Sequence, residues 1–149
     1  MDELDLNKSY EVIKTVNEKV NSLKSQLYQL KNNETLSMEP FVIEKTNNCL
    51  IIHVNIPRAT MKDIDYYTNA LGDFNTYGVN NVIYDLQRVE HIDSTFLGQI
   101  IGILKKVREQ NGKVLIVSNN ESVKSLFVLT RLLRALPIYS SLDEALKNI

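Results

Sequence analysis

Between residues 4 and 32 the chain has neither Gly nor Pro, and apolar residues fall at Ile13, Val16, Val20, Leu23, Leu27 and Leu30, spaced 3, 4, 3, 4, 3. This alternation is a heptad seam and predicts a long amphipathic helix. Leu6, Ile13, Val20 and Leu27 occupy a positions, and Ser9, Val16, Leu23 and Leu30 occupy d positions. β-Branched residues at a with Leu at d favour a two-stranded coil. Lys19 at g would, however, face Lys24 at e in a parallel pair. Alone, such a helix is marginal, so the seam needs a partner surface. That surface is its own domain, a second copy of the chain, or another protein. We assign residues 1–32 to the helix and the polar stretch 33–39 to a linker.

From Pro40 the pattern alternates between short apolar runs and helical periodicity. Phe41 to Lys45 and Cys49 to Asn55 read as strands around a Thr46-Asn47-Asn48 hairpin turn. Thr60 is placed to cap a helix from Met61 to about Tyr77, with Ile64, Tyr67, Leu71 and Phe74 inward and Gly78 as its stop. Val82 to Leu86 is a strand. A helix follows from Ser94 to Gln110, with Leu97, Ile100, Ile101, Leu104 and Val107 as its buried stripe and Asn111-Gly112 as its close. Gly98 and Gly102, one turn apart, suggest close packing there, since each Gly costs up to ~1 kcal/mol in a helix. Lys113 to Val117 reads as a buried, parallel strand. Ser122 to Leu133 is a helix with Val123, Leu126, Phe127, Leu129 and Thr130 inward; Ile138-Tyr139 is an edge strand; Ser141 and Glu144 form a capping box for a last helix. The order is ββαβαβαβα, and strand-helix-strand crossovers of this length imply a mixed sheet.

Composition narrows the function classes. The 149 residues are 44% hydrophobic and 23% charged, with a net charge of −1. That is an ordinary globular composition, and it favours neither nucleic acid nor an anionic membrane as partner. The acidic N-terminus has no apolar core like that of a signal peptide, and no run reaches the roughly 18 apolar residues of a membrane span. Cys49 is the one cysteine, so no internal disulfide forms. A cytoplasmic location is expected. The two histidines, His53 and His91, lie too far apart in sequence to suggest a metal site. No phosphate-binding loop, dinucleotide fingerprint or hydrolase elbow is present, so neither a cofactor nor an enzymatic activity is expected. Cys49 reads as a small core residue, Tyr66-Tyr67 as half surface and half core, and Lys105, Lys106 and Arg108 as a solvated helix face.

The stretch Val82-Ile-Tyr-Asp-Leu, a polar turn, and His91-Ile-Asp-Ser-Thr-Phe-Leu-Gly carries the most information. Asp, Ser and Thr are preferred helix caps, and Asp93-Ser94-Thr95 by itself says no more than that. Together with the preceding strand, and with Gly112-Lys-Val-Leu-Ile-Val, Val123-Lys-Ser-Leu-Phe and Pro137-Ile-Tyr-Ser-Ser-Leu-Asp-Glu-Ala-Leu, it resembles the signature of STAS domains. The resemblance spans about residues 40–148; the signature is shared by sulfate transporters and bacterial anti-sigma factor antagonists, and the chain resembles the antagonist type. It implies an α/β fold with a mixed sheet, helices mainly on one face, and a domain at 40–149.

By that resemblance the chain is a binding switch in bacterial transcription control and not an enzyme. Ser94 would be phosphorylated by a serine kinase that is itself the anti-sigma factor, with Thr95 as the alternative acceptor. A phosphatase of the PP2C class would reset it. Asp93, Thr95, Phe96, Leu97, Asn47 and Asn48 would contribute to the partner interface. The heptad helix lies outside the resemblance; through Ile13, Val16, Val20, Leu23, Leu27 and Leu30 it would form a homodimer or bind another protein. Phe96 stands where the family commonly has Gly. It is expected to point outward, where it either anchors a particular partner or blocks the usual kinase contact. Two other readings stay open. One is an unphosphorylated scaffold, as in stressosome-type assemblies or the STAS subunit of a lipid-transport ABC system. The other is a STAS domain that binds a nucleotide or lipid.

Overall fold

The computed structural model describes the backbone of residues 3–32 and 39–149, and the side chains of residues 8–25 and 39–149. The chain divides into two compact units, Met1–Met38 and Glu39–Ile149.

The described residues of the first unit form one helix, α1 (Glu3–Asn32). Its seam residues are open to solvent: Ile13 is 60% exposed, Val16 52%, Val20 40% and Leu23 57%. The side chains of Leu6, Leu27 and Leu30 and the linker residues 33–38 lie outside the described residues.

The second unit is built on β1 (Phe41–Lys45), β2 (Cys49–Val54), β4 (Asn81–Asp85), β6 (Val114–Val117) and β7 (Ile138–Tyr139), in the spatial order β1-β2-β4-β6-β7. The β1–β2 hairpin is antiparallel and every later pairing is parallel. Successive strand side chains point to opposite faces. One face carries Leu50, Ile52 and Val54 of β2, Val82 and Tyr84 of β4, and Val114 and Ile116 of β6. These join the large core under α2 (Ile64–Leu71), α3 (Ser94–Glu109) and α4 (Glu121–Leu129). The other face carries a smaller cluster of Cys49, Ile51, Ile83, Leu115 and Val117, packed with Ala145 of α5 (Leu142–Leu146). The helices therefore lie mainly on one face of a mixed sheet.

Two strands too short to show in the hydrophobic pattern, β3 (Arg58–Ala59) and β5 (His91–Ile92), pair in parallel as a separate two-stranded sheet. The helix expected from Met61 to Tyr77 is interrupted. A 3-10 turn at Met61–Asp63 leads into α2, Gly72 breaks the run with a positive φ of 65°, and a second 3-10 turn spans Phe74–Tyr77. Tyr67, Leu71 and Phe74 are still buried together, because the break keeps their side chains on the core side. Helix α4 stops at Leu129 and not at Leu133. Arg131 adopts φ 58°, and the amides of Arg131 and Leu132 turn back to the carbonyls of Val128 and Phe127, closing the helix with left-handed backbone. Leu129 and Thr130 consequently face solvent and not the core, Leu129 with 80% exposure.

Glycine usage differs from expectation as well. Gly98 and Gly102 are exposed, and a Cβ at either would meet nothing within 4 Å, so neither supports close packing within the chain. Ile103 is buried where Ile101 was expected, and Ile101 is half-buried. The close approach occurs at Gly112, where a Cβ would fall 1.6 Å from the Asn80 carbonyl oxygen.

Candidate functional site

Helix α3 begins at Ser94, with Asp93 as its cap. Asp93 Oδ1 accepts a 2.8 Å hydrogen bond from the Phe96 amide, and Oδ2 accepts one of 2.8 Å from the Met61 amide. One carboxylate thus satisfies free amides at the start of two helical segments. The Asp93 carboxyl is held below its usual range first by the Phe96 amide, against a smaller desolvation cost, and then by the Met61 and Thr95 amides and His91. Asp93 is therefore a structural cap, and only part of it remains for a partner to reach.

The backbone before Ser94 is tied down. The amides of Glu90 and His91 both donate to the Pro57 carbonyl, at 2.7 and 3.0 Å, and the Asp93 amide donates to the Ala59 carbonyl at 3.2 Å. These bonds extend the β3–β5 ladder to the helix cap. On this support Ser94 and Thr95 are both exposed, with Met61, 68% exposed, beside them through its bond to Asp93.

Phe96 departs from expectation. It is fully buried and packs against Phe41 at a ring distance of 5.9 Å and Tyr67 at 5.3 Å. Tyr67 and Phe41 complete the cluster edge-on at 5.5 Å. Phe96 is the third residue of α3, and its position four before Ile100 puts it on the core stripe. It can be neither an exposed anchor nor a block to a partner. Leu97, 7% exposed, belongs to the same core. Asn47 and Asn48 are exposed at the hairpin. The Asn48 Oδ1 accepts from the Asn80 amide at 3.0 Å, and its carbonyl accepts from the Asn81 side chain at 3.2 Å. Asn48 thus anchors the loop before β4 and is not wholly available as interface.

A groove of about 410 Å³ adjoins the site, lined by Glu90, His91, Ile92, Glu121, Ser125 and Leu129 among others. Its acidic rim and exposed leucine were not legible in the sequence, because β5 and α4 meet only in the fold.

The sequence also concealed a charged cluster on the opposite sheet face. His53 of β2 is 5% exposed and is gripped from both sides: Nδ1 lies 2.8 Å from Asp85 Oδ2 and Nε2 lies 2.9 Å from Glu44 Oε2. Cross-strand register brings His53 opposite Asp85. The Asp85 bond raises the His53 pKa above its ordinary value, opposed by burial and assisted by Glu44. For Asp85, burial acts to raise the pKa, but His53 and the Gln87 donors outweigh it and lower the value. Elsewhere burial pushes the Cys49 thiol up to about 11, against weaker hydrogen bonds from Ile83 and Thr46, so it is a poor nucleophile. Tyr67 and Tyr84 share a buried 2.6 Å hydroxyl–hydroxyl bond. Among the described residues no group of three His, Cys, Asp or Glu side chains is placed to hold a metal ion, and no helix is long and apolar enough to cross a membrane.

Comparison with known proteins agrees with this architecture. The STAS domain profile matches residues 18–145, beginning within α1. A Thermotoga maritima protein named as an anti-sigma factor antagonist is 38% identical over 77 residues, which cover 52% of this chain and 68% of that protein. The crystal structure of a T. maritima anti-sigma factor antagonist superposes with a TM-score of 0.66 at 30% identity, covering 73% of this chain and 93% of its own. The fold also matches the phosphorylated form of the Bacillus cell fate determinant SpoIIAA, with a TM-score of 0.58 at 15% identity, over 72% of this chain and 97% of that one.

Proposed function

This chain belongs to the STAS domain family, and we propose that it acts as an anti-sigma factor antagonist whose partner-binding face is switched by phosphorylation of Ser94. The observation that carries the reading is the Ser94 hydroxyl, exposed at the start of α3 on a hydrogen-bonded support. The relatives named as anti-sigma factor antagonists support a regulatory role. The partner would be an anti-sigma factor with serine kinase activity, held by the unmodified chain and released after phosphorylation. A PP2C-type phosphatase would restore binding.

The electrostatics fit this role. A phosphoryl group adds about −1.5 to −2 charges at pH 7. A helix N-terminus tolerates such an anion locally, so the domain stays folded. At a docked interface the same charge, next to Asp93, repels an acidic partner group or must be desolvated. Losing about 4 kcal/mol there weakens binding roughly a thousandfold. With Phe96 and Leu97 in the core, Met61, Thr95, His91 and Leu129 would supply the contact surface. The exposed α1 seam would pair with a second copy.

The test is incubation of the full chain with a serine kinase of the anti-sigma type and ATP, followed by peptide mass spectrometry and a pull-down of the kinase. The reading expects modification at Ser94 and loss of kinase from the modified chain. It fails if Ser94 is never modified and both Ser94→Ala and Ser94→Asp bind the kinase as the unaltered chain does. Unaltered binding with an unmodified Ser94 would favour a scaffold in a larger assembly.

A further inference from the structure

At the far end of α3, about 21 Å from Ser94 at ~1.5 Å per helical residue, three cationic residues line one cavity. Arg108 comes from α3, Lys113 from the residue before β6, and Arg134 from the segment after α4. The cavity measures about 310 Å³, the lower end of the range of small-molecule sites. Leu104, Pro137 and Tyr139 contribute to its wall, and no carboxylate lines it.

This clustering runs against the chain's balance, since 18 acidic residues slightly outnumber 17 basic ones. Among the described residues no carboxylate forms an ion pair with Arg108, Lys113 or Arg134. The α3 C-terminus, with its partial negative charge, accounts for one nearby cation. It does not account for Lys113 and Arg134, which lie outside the helix. Lys113 Nζ is 3.4 Å from the Asn148 carbonyl, a neutral acceptor that leaves its charge uncompensated. All three residues are exposed, so water and salt screen their mutual repulsion. An anion seated among them would be attracted by all three, and guanidinium forks suit the oxygens of a phosphate.

We propose that this cavity binds a small organic phosphate, with its anionic group between Arg108, Lys113 and Arg134 and its apolar part against Pro137 and Tyr139. The site is separate from Ser94 and does not depend on the switch described above. Phenyl phosphate is a suitable probe because it carries both parts, and benzyl alcohol is the uncharged control.

Titrating the ¹⁵N-labelled full chain with phenyl phosphate at low salt tests the proposal by amide chemical shifts. Saturable shifts at Gly112, Lys113 and Ala135 are expected, with none under benzyl alcohol. Arg134→Gln and Lys113→Gln should each weaken binding roughly tenfold, as loss of one charge-assisted hydrogen bond predicts, while Ser94→Ala leaves it unchanged. The proposal is overturned if the shifts do not saturate, if they spread evenly to remote cations such as Lys62 and Lys124, or if both variants bind as the unaltered chain does. Retained spectral dispersion in each variant confirms that weakened binding is not unfolding.

Discussion

Met61 and Asp93 lie 32 positions apart in sequence, yet the Met61 amide donates a 2.8 Å hydrogen bond to the Asp93 carboxylate that also caps α3. Replacing Asp93 therefore removes acceptors from two helix starts. Asp93→Ala should cost about 1 to 2 kcal/mol, the upper part of the range for a single cap. Urea unfolding of the two proteins measures it. A cost near zero would mean that water satisfies both amides equally well.

The His53 cluster should give stability a characteristic pH profile. The His53 pKa is raised above 6.5 on folding, so its contribution is fully present below about 6.5 and is lost as pH rises through the higher folded value. The Asp85 pKa is lowered below 3.8, so its contribution is present above about 3.8 and is lost as pH falls through the lower folded value. Thermal melts should show His53→Gln with a flatter pH dependence on the alkaline side of 6.5. An unchanged slope there would show that folding does not raise the His53 pKa.

Phe96, expected at the surface, lies in the core. Phe96→Ala should destabilise by about 3 to 5 kcal/mol, as for other buried aromatics, by opening a cavity between Phe41 and Tyr67. Chemical denaturation decides between this and a surface role, which would leave stability within about 0.5 kcal/mol of the original.

Two glycine substitutions should move stability in opposite directions. Gly112→Ala places a methyl group 1.6 Å from the Asn80 carbonyl oxygen and should destabilise by more than about 2 kcal/mol, since the obstacle is backbone. Gly98→Ala meets nothing within 4 Å and should stabilise by about 0.5 to 1 kcal/mol through helix propensity. Midpoints of thermal unfolding report both.

In α1, Val16 and Val20 are 52% and 40% exposed on the seam. If that seam pairs with a second copy, Val16→Glu together with Val20→Glu in the full chain should yield a monomer by sedimentation equilibrium. A chain that is already monomeric before substitution excludes a second copy as the partner of the seam.

Much of this fold was legible where a single element carries its own signal. The β1–β2 hairpin, the start of α3 at Ser94 and the Ser141 cap each rest on local pattern and turn chemistry. Ser141 Oγ does accept from the Glu144 amide, though the Glu144 carboxylate reaches the Ser140 amide in place of that of Ser141. What the sequence conceals depends on register or on distant segments meeting. β3 and β5 are two residues each, below the length at which alternation can be read. His53 finds Asp85 only because β2 and β4 pair at that register. The cationic cavity gathers Arg108, Lys113 and Arg134 from three elements. Phe96 did carry a signal, its position four residues before Ile100, but its place in the first helical turn suggested solvent instead.

The paired bonds from Glu90 and His91 to Pro57, and from Asp93 to Ala59, have a bearing on binding as well as on shape. They leave the backbone beside Ser94 little room to wander. Any protein that docks there meets a segment already in place, and that part of the ordering cost is met when the domain folds.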